Sequence, residues 1–179
     1  MRILGLFMLT AFLSAPAYAQ DDVRVLAASK TSTMEKEMNE AAEAGYRFGG
    51  VMGGDTAFGG SEVVVFMTRN PAGSPGFSYK LLATSRTSTM QKEMQEAGDA
   101  GFEYRGQTIF KSAFGGKEVV VVLERDKAVV QPTKYEYRLL ATKKTSTLQK
   151  EISEATAAGF AFVGMTVADT AIGGDEIVS

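Results

Sequence analysis

The chain has 179 residues, 19 of them Lys or Arg and 21 Asp or Glu, for a formal charge of −2, and it contains no His, Cys or Trp. That balance gives no field for nucleic acid or for an anionic membrane surface, and the missing types remove the commonest general base, the soft metal ligands and any disulfide. An enzyme would have to work with carboxylates, Lys, Tyr, Ser and Thr alone.

The chain opens MRILGLFMLTAFLSAPAYAQ. Arg2, an apolar run from Ile3 to Leu13, Pro16 and the small-x-small site Ala17-Tyr18-Ala19 predict a signal peptide over 1–19. The protein is therefore expected to be exported, periplasmic or secreted, with its mature part starting near Gln20. The apolar run is too short to cross a bilayer, and no later stretch approaches roughly 18 continuous apolar residues, so no membrane span is expected. Loss of Arg2 with the leader leaves 18 basic against 21 acidic residues, a charge of −3.

After the leader one unit occurs three times, over 20–69, 79–126 and 137–179, at offsets of 56 and then 58 residues. The joints are a turn-rich linker over 70–78, containing Asn70-Pro71-Ala72-Gly73-Ser74-Pro75-Gly76, and a second over 127–136 with Pro132.

Within the second unit, Tyr79, Leu81 and Ala83 alternate with Lys80, Leu82 and Thr84, which predicts a strand. Met90, Met94, Ala97 and Gly101 then recur at helical spacing, and Gly101 suits the left-handed position that ends a helix, with Phe102 packing back on the last turn. A second strand carries Phe102, Tyr104, Gly106, Thr108 and Phe110 on one face, and the run from Glu118 to Leu123 is a third. The predicted fold is α+β: three tandem βαββ repeats, each a three-stranded antiparallel sheet in the order 1-3-2 with one helix on one face.

Units of about 48 residues without disulfide or metal lie near the lower limit for folding alone. One helix, roughly 21 Å long, covers only one face of such a sheet. The other face, expected to carry Leu82 and two of the valines, and in the third unit Val163, Met165 and Val167, needs a cover. The expected cover is the sheet of another unit or of another chain. The last strand of the third unit, Glu176 to Ser179, is shorter than its counterparts, which suggests a fragment of a longer reading frame.

Tyr79-Lys80 opening a strand, the helix end Glu96-Ala97-Gly98-Asp99-Ala100-Gly101-Phe102-Glu103 and the closing Leu123-Glu124-Arg125-Asp126 resemble small bacterial βαββ domains of unknown function. Those domains carry Gly-Trp-Glu where this chain has Gly-Phe-Glu. The resemblance implies a fold for each unit and no activity.

Two recurrent segments are candidate sites. The first is Lys30-Thr31-Ser32, Arg86-Thr87-Ser88 and Lys144-Thr145-Ser146 ahead of each helix. Each Ser stands three residues before Glu35, Gln91 or Gln149, the spacing of a capping box that satisfies the helix start by itself. The alternative is a small-anion site in which the basic residue and hydroxyls hold a phosphate, sulfate or carboxylate. No phosphate-cradling Gly-rich loop precedes these helices, so a nucleotide-hydrolysing P-loop is excluded.

The second segment is the Gly-Gly loop with Phe58, Gly59, Gly60 and Glu62 in the first unit. Its counterparts are Phe114, Gly115, Gly116 and Glu118, then Ile172, Gly173, Gly174 and Glu176. It reads as a hairpin turn whose large residue plugs the core end, or as a recognition loop. Glu37, Glu93 and Glu151 read as solvated helix faces, Tyr79 and Tyr137 as edge-strand aromatics, and Met34, Met38, Met90 and Met94 as packing. Asp55 and Asp169 have Lys111 as their counterpart, so a repeated metal site fails internally.

The functional expectation is an exported non-catalytic repeat protein that acts as a binding or protein-interaction module. No catalytic residue, metal site or cofactor is expected. The expected partner is another protein or a second copy, met through sheet faces or edges. A small-anion-binding protein is the alternative, and a hydrolase using Glu with Ser or Thr ranks last, because no base stands at a recognisable spacing from a nucleophile.

Overall fold

In the computed structural model, residues 22–56, 60–70, 76–111, 116–169 and 175–179 are described. Residues 1–21, where a signal peptide is expected, most of the first linker and the Gly-Gly loop tips with Phe58, Gly59, Phe114, Gly115, Ile172, Gly173 and Gly174 lie outside them.

The first unit is β1 (Val23–Ala28), α1 (Thr31–Glu43), β2 (Tyr46–Thr56) and β3 (Gly60–Arg69). The second is β4 (Phe77–Thr84), α2 (Thr87–Asp99), β5 (Glu103–Lys111) and β6 (Lys117–Asp126). The third is β7 (Ala141–Thr142), α3 (Thr145–Ala157), β8 (Thr166–Asp169) and β9 (Asp175–Val178). The sheets run β1-β3-β2, β4-β6-β5 and β7-β9-β8, antiparallel throughout, so the chain is α+β with three βαββ units. The last strand of each unit is central because it alone can pair antiparallel with both others.

The helix ends follow the sequence. Gly45, Gly101 and Gly159 take φ of 87°, 83° and 95°, and the Phe102 and Phe160 N–H groups donate back to Ala97 and Ala155 carbonyls. The starts do not. The N-cap residues are Lys30, Arg86 and Lys144, in extended conformation and with no side-chain cap hydrogen bond, so Ser32, Ser88 and Ser146 sit inside the first turn and no capping box forms. The helix begins two residues earlier than the box requires, after a cap residue whose side chain has no oxygen to offer. Thr84 and Thr142 instead accept from the Arg86 and Lys144 N–H groups at 3.1 and 3.4 Å, a local turn ahead of the helix.

A second correction concerns the faces. The β5–β6 register shifts between Tyr104 and Gly106, and β2–β3 shifts between Phe48 and Gly50. The extra residue, Arg105 or Gly49, turns the side chains over, so Phe102 and Tyr104 share a core with Ile109 while Phe110 joins the opposite one.

Two cores result. In one, Met34 and Met38 of α1 pack on Val63, Val65 and Met67 and also on Tyr79, Leu81, Val120 and Val122 of the second unit. In the other, Met90, Met94 and Ala97 of α2 pack on Leu82, Val121 and Leu123 and on Val178 of the third. The middle sheet is thus covered on both faces, which its run of valines requires. The faces are exchanged relative to expectation: Leu82 lies under its own helix, and Tyr79 and Leu81 face the preceding unit. Each fully buried valine contributes about 1.5 to 3 kcal/mol.

The third unit is less complete. β9 has four residues against ten in β6, and the expected strand from Tyr137 is a ladder strand only at Ala141–Thr142, with Leu140 bonded to Ser179.

Candidate functional site

The chemistry of this molecule is concentrated where one unit meets the next. Strand β4 is an edge strand, and α1 lies along its open side. The Tyr79 N–H donates to Asn39 Oδ1 at 2.9 Å, Asn39 Nδ2 donates to the Tyr79 carbonyl at 3.0 Å, and the Leu81 N–H donates to Glu35 Oε2 at 2.8 Å. One helix down, α2 treats the third unit the same way. The Leu139 and Tyr137 N–H groups donate to Gln91 and Gln95 Oε1 at 2.7 and 3.1 Å, and the two Nε2 groups donate to the Tyr137 and Tyr135 carbonyls at 2.7 and 3.3 Å. The Glu and Gln that resemble capping-box residues therefore read the backbone of the next unit, as a neighbouring strand would.

A second contact repeats beside the first. The ring of Phe48 lies against Gly106, with Cζ 3.3 Å from where a Cβ would stand, and Tyr104 lies against Gly164 so closely that no Cβ fits. Gly50, Gly106 and Gly164 stand at the repeat offsets, two residues after Phe48, Tyr104 and Phe162. Each aromatic is a knob for the next unit's glycine.

The first joint also holds a buried charge. Glu124, only 4% exposed, receives Arg47 Nη2 at 2.8 Å and Nε at 3.2 Å and the Tyr79 hydroxyl at 2.8 Å, with Arg105 at 3.7 Å. The Phe48 N–H donates to the Tyr79 hydroxyl at 2.8 Å, and the Arg47 guanidinium lies 4.2 Å over the Phe77 ring. Burial above all drives the Tyr79 pKa well up, and it pushes Tyr104 and Tyr137 up to about 12, so all three hydroxyls stay protonated as the contacts require. At the second joint the Tyr137 hydroxyl donates to the Phe102 carbonyl at 2.8 Å. Sequence reading misses Arg47 and gives Glu124 no role, because neither recurs: their counterparts are Glu103 and Thr68.

The sites singled out by sequence lie elsewhere. Lys30, Ser32, Arg86, Ser88, Lys144, Thr145 and Ser146 are exposed, with Thr31 and Thr87 half-buried, each set at its own helix start. Arg86 and Thr87 border a cleft of ≈ 10 Å³, the volume of about one water. Gly60 and Gly116 are exposed at the starts of their strands, Glu62 and Glu118 are half-buried, and Glu176 pairs with Ala168 in the β8–β9 ladder. Among the described residues no three acidic groups are placed to hold a metal ion. No described helix is long and apolar enough to cross a membrane.

Among the described residues, apolar side chains are exposed at two places in the stack. Val25 and Phe66, on the outer face of the first sheet, are 66% and 41% exposed, where their counterparts Leu81 and Val122 are 9% and 0%. At the other end Phe162 is 56% exposed against 7% for Phe48, and Met165 and Val167 are exposed beside it. Val23 and Met52 are also exposed on the first unit, at 49% and 64%. A groove of ≈ 470 Å³ adjoins the second end, between the segments 134–140 and 158–164, over Ile152 and Ala155 of α3. No family model, curated protein or solved structure matches the chain.

Proposed function

We propose that this chain is an exported, non-catalytic interaction module that binds polypeptide through strand edges and apolar sheet faces. One observation carries this reading: helix side chains grip the next unit by its main chain, at Tyr79 and Leu81 of β4 and again at Tyr137 and Leu139 of the segment ahead of β7. The same equipment stands idle at the ends. Gln149 and Ser153, the counterparts of the gripping pairs, are exposed and bond to each other at 3.3 Å. Recognition of an extended segment by its backbone plus alternate side chains is a general mode of protein binding. The exposed helix starts offer no comparable support for an anion-binding protein.

A labelled peptide with the sequence of residues 76–85, GFSYKLLATS, tests this by anisotropy against the full-length protein. Saturable binding is expected, and it should be lost when proline replaces the residues matching Tyr79 and Leu81, since proline has no N–H to donate. Absence of binding, with a melting temperature raised by phosphate or sulfate, would overturn the reading in favour of an anion site.

A further inference from the structure

We propose that the partner at these ends is a second copy of this chain, docked head to tail: the outer face of one copy's first unit seats on the uncovered side of another copy's third unit. This rests on the interaction-module reading and names its partner.

The joint needed is one the chain already makes twice. Within the molecule, a unit offers an aromatic knob and a pair of helix side chains, and the next unit offers a glycine, an edge strand and an apolar outer face. At the end of the stack Phe162 is the knob in the place of Phe48 and Tyr104, and Gln149 and Ser153 stand where Gln91 and Gln95 grip Tyr137 and Leu139. At its start the matching parts are all present. Gly50 holds the place of Gly106 and Gly164, and a Cβ there would meet nothing within 4 Å. β1 has the edge place of β4, and Val23, Val25, Met52 and Phe66 form an exposed apolar surface where the second unit's is buried. Each of the two surfaces carries the parts that the other's counterparts meet inside the chain.

The joint between copies differs from the internal ones in two ways. Val23 replaces the tyrosine whose hydroxyl bridges the internal joints, and Thr68 and Ala161 stand in the places of Glu124 and Arg47. The copy-to-copy joint is therefore apolar and backbone-mediated, weaker than the first internal joint, and it lacks the tether that raises effective concentration inside the chain. Because donor and acceptor surfaces are different, the contact is heterologous and does not close on itself as a two-fold dimer does.

Sedimentation of the full-length protein over a wide concentration range tests this, alongside Phe162→Asp and Gly50→Glu, two substitutions at open positions. The wild type is expected to grow past the dimer as concentration rises, and each variant alone is expected to stay monomeric. An equal mixture of the two is expected to stop at a one-to-one dimer, since one intact knob and one intact socket remain. A wild type that is monomeric throughout while the strand peptide still binds would overturn self-association and leave the module reading standing, with a different polypeptide as partner. Association unaffected by either substitution, or a mixture that stays monomeric, would also overturn it.

Discussion

Glu124 shows how a buried charge is made tolerable and what it costs to disturb it. Its carboxylate is enclosed, yet it receives a two-pronged guanidinium and a tyrosine hydroxyl, so most of its lone pairs are used. The two sides of the pair are not equivalent, because the Arg47 side chain is 39% exposed and the Glu124 side chain 4%. Removing the arginine leaves the enclosed carboxylate with only the Tyr79 hydroxyl and the more distant Arg105, whereas removing the glutamate leaves a cation that water can reach. Arg47→Ala is thus expected to lose about 3 to 5 kcal/mol in urea unfolding and Glu124→Ala about 1.5 to 3 kcal/mol. The reverse order would show that the burial of Glu124 is relieved in solution.

At the scale of elements, the alternation and helical spacing in each unit make the βαββ order and the 1-3-2 sheets legible, because those patterns are local. Which face meets which neighbour is not legible. The bulge at Arg105 inverts the facing of Gly106 to Phe110 relative to Tyr104, and a one-residue irregularity leaves no mark in an alternating apolar pattern. Glu35, Gln91 and Gln149 mislead for a related reason. Their spacing from a serine satisfies a local rule, yet the backbone groups that Glu35 and Gln91 bond lie 46 to 48 residues away in sequence. Recurrence of Gly50, Gly106 and Gly164 after an aromatic is the one visible trace of the joints. The grip itself is open to a direct check. In Gln91→Ala the Leu139 amide is expected to exchange roughly tenfold faster, the loss of one hydrogen bond of about 1 to 1.5 kcal/mol, with the Leu81 amide unchanged.

The described residues form a short stack in which α1 and α2 each serve their own sheet and the next unit's outer face. Small units that cannot bury their apolar surface alone are stabilised by nearest neighbours, as in other repeat proteins, and the terminal units carry whatever surface is left over. Among the described residues, the first unit's outer face and the third unit's Phe162, Met165 and Val167 are exposed and apolar. The most direct measurement is amide hydrogen exchange of Val25, Leu81 and Leu139, three equivalent edge positions, at low and high protein concentration. Slow exchange at Leu81 and Leu139 under both conditions, with Val25 fast when dilute and slow when concentrated, is the expected result. A Leu139 amide that exchanges as fast as Val25 in dilute solution would contradict the grip of one unit on the next, and with it the head-to-tail joint that repeats that grip between copies.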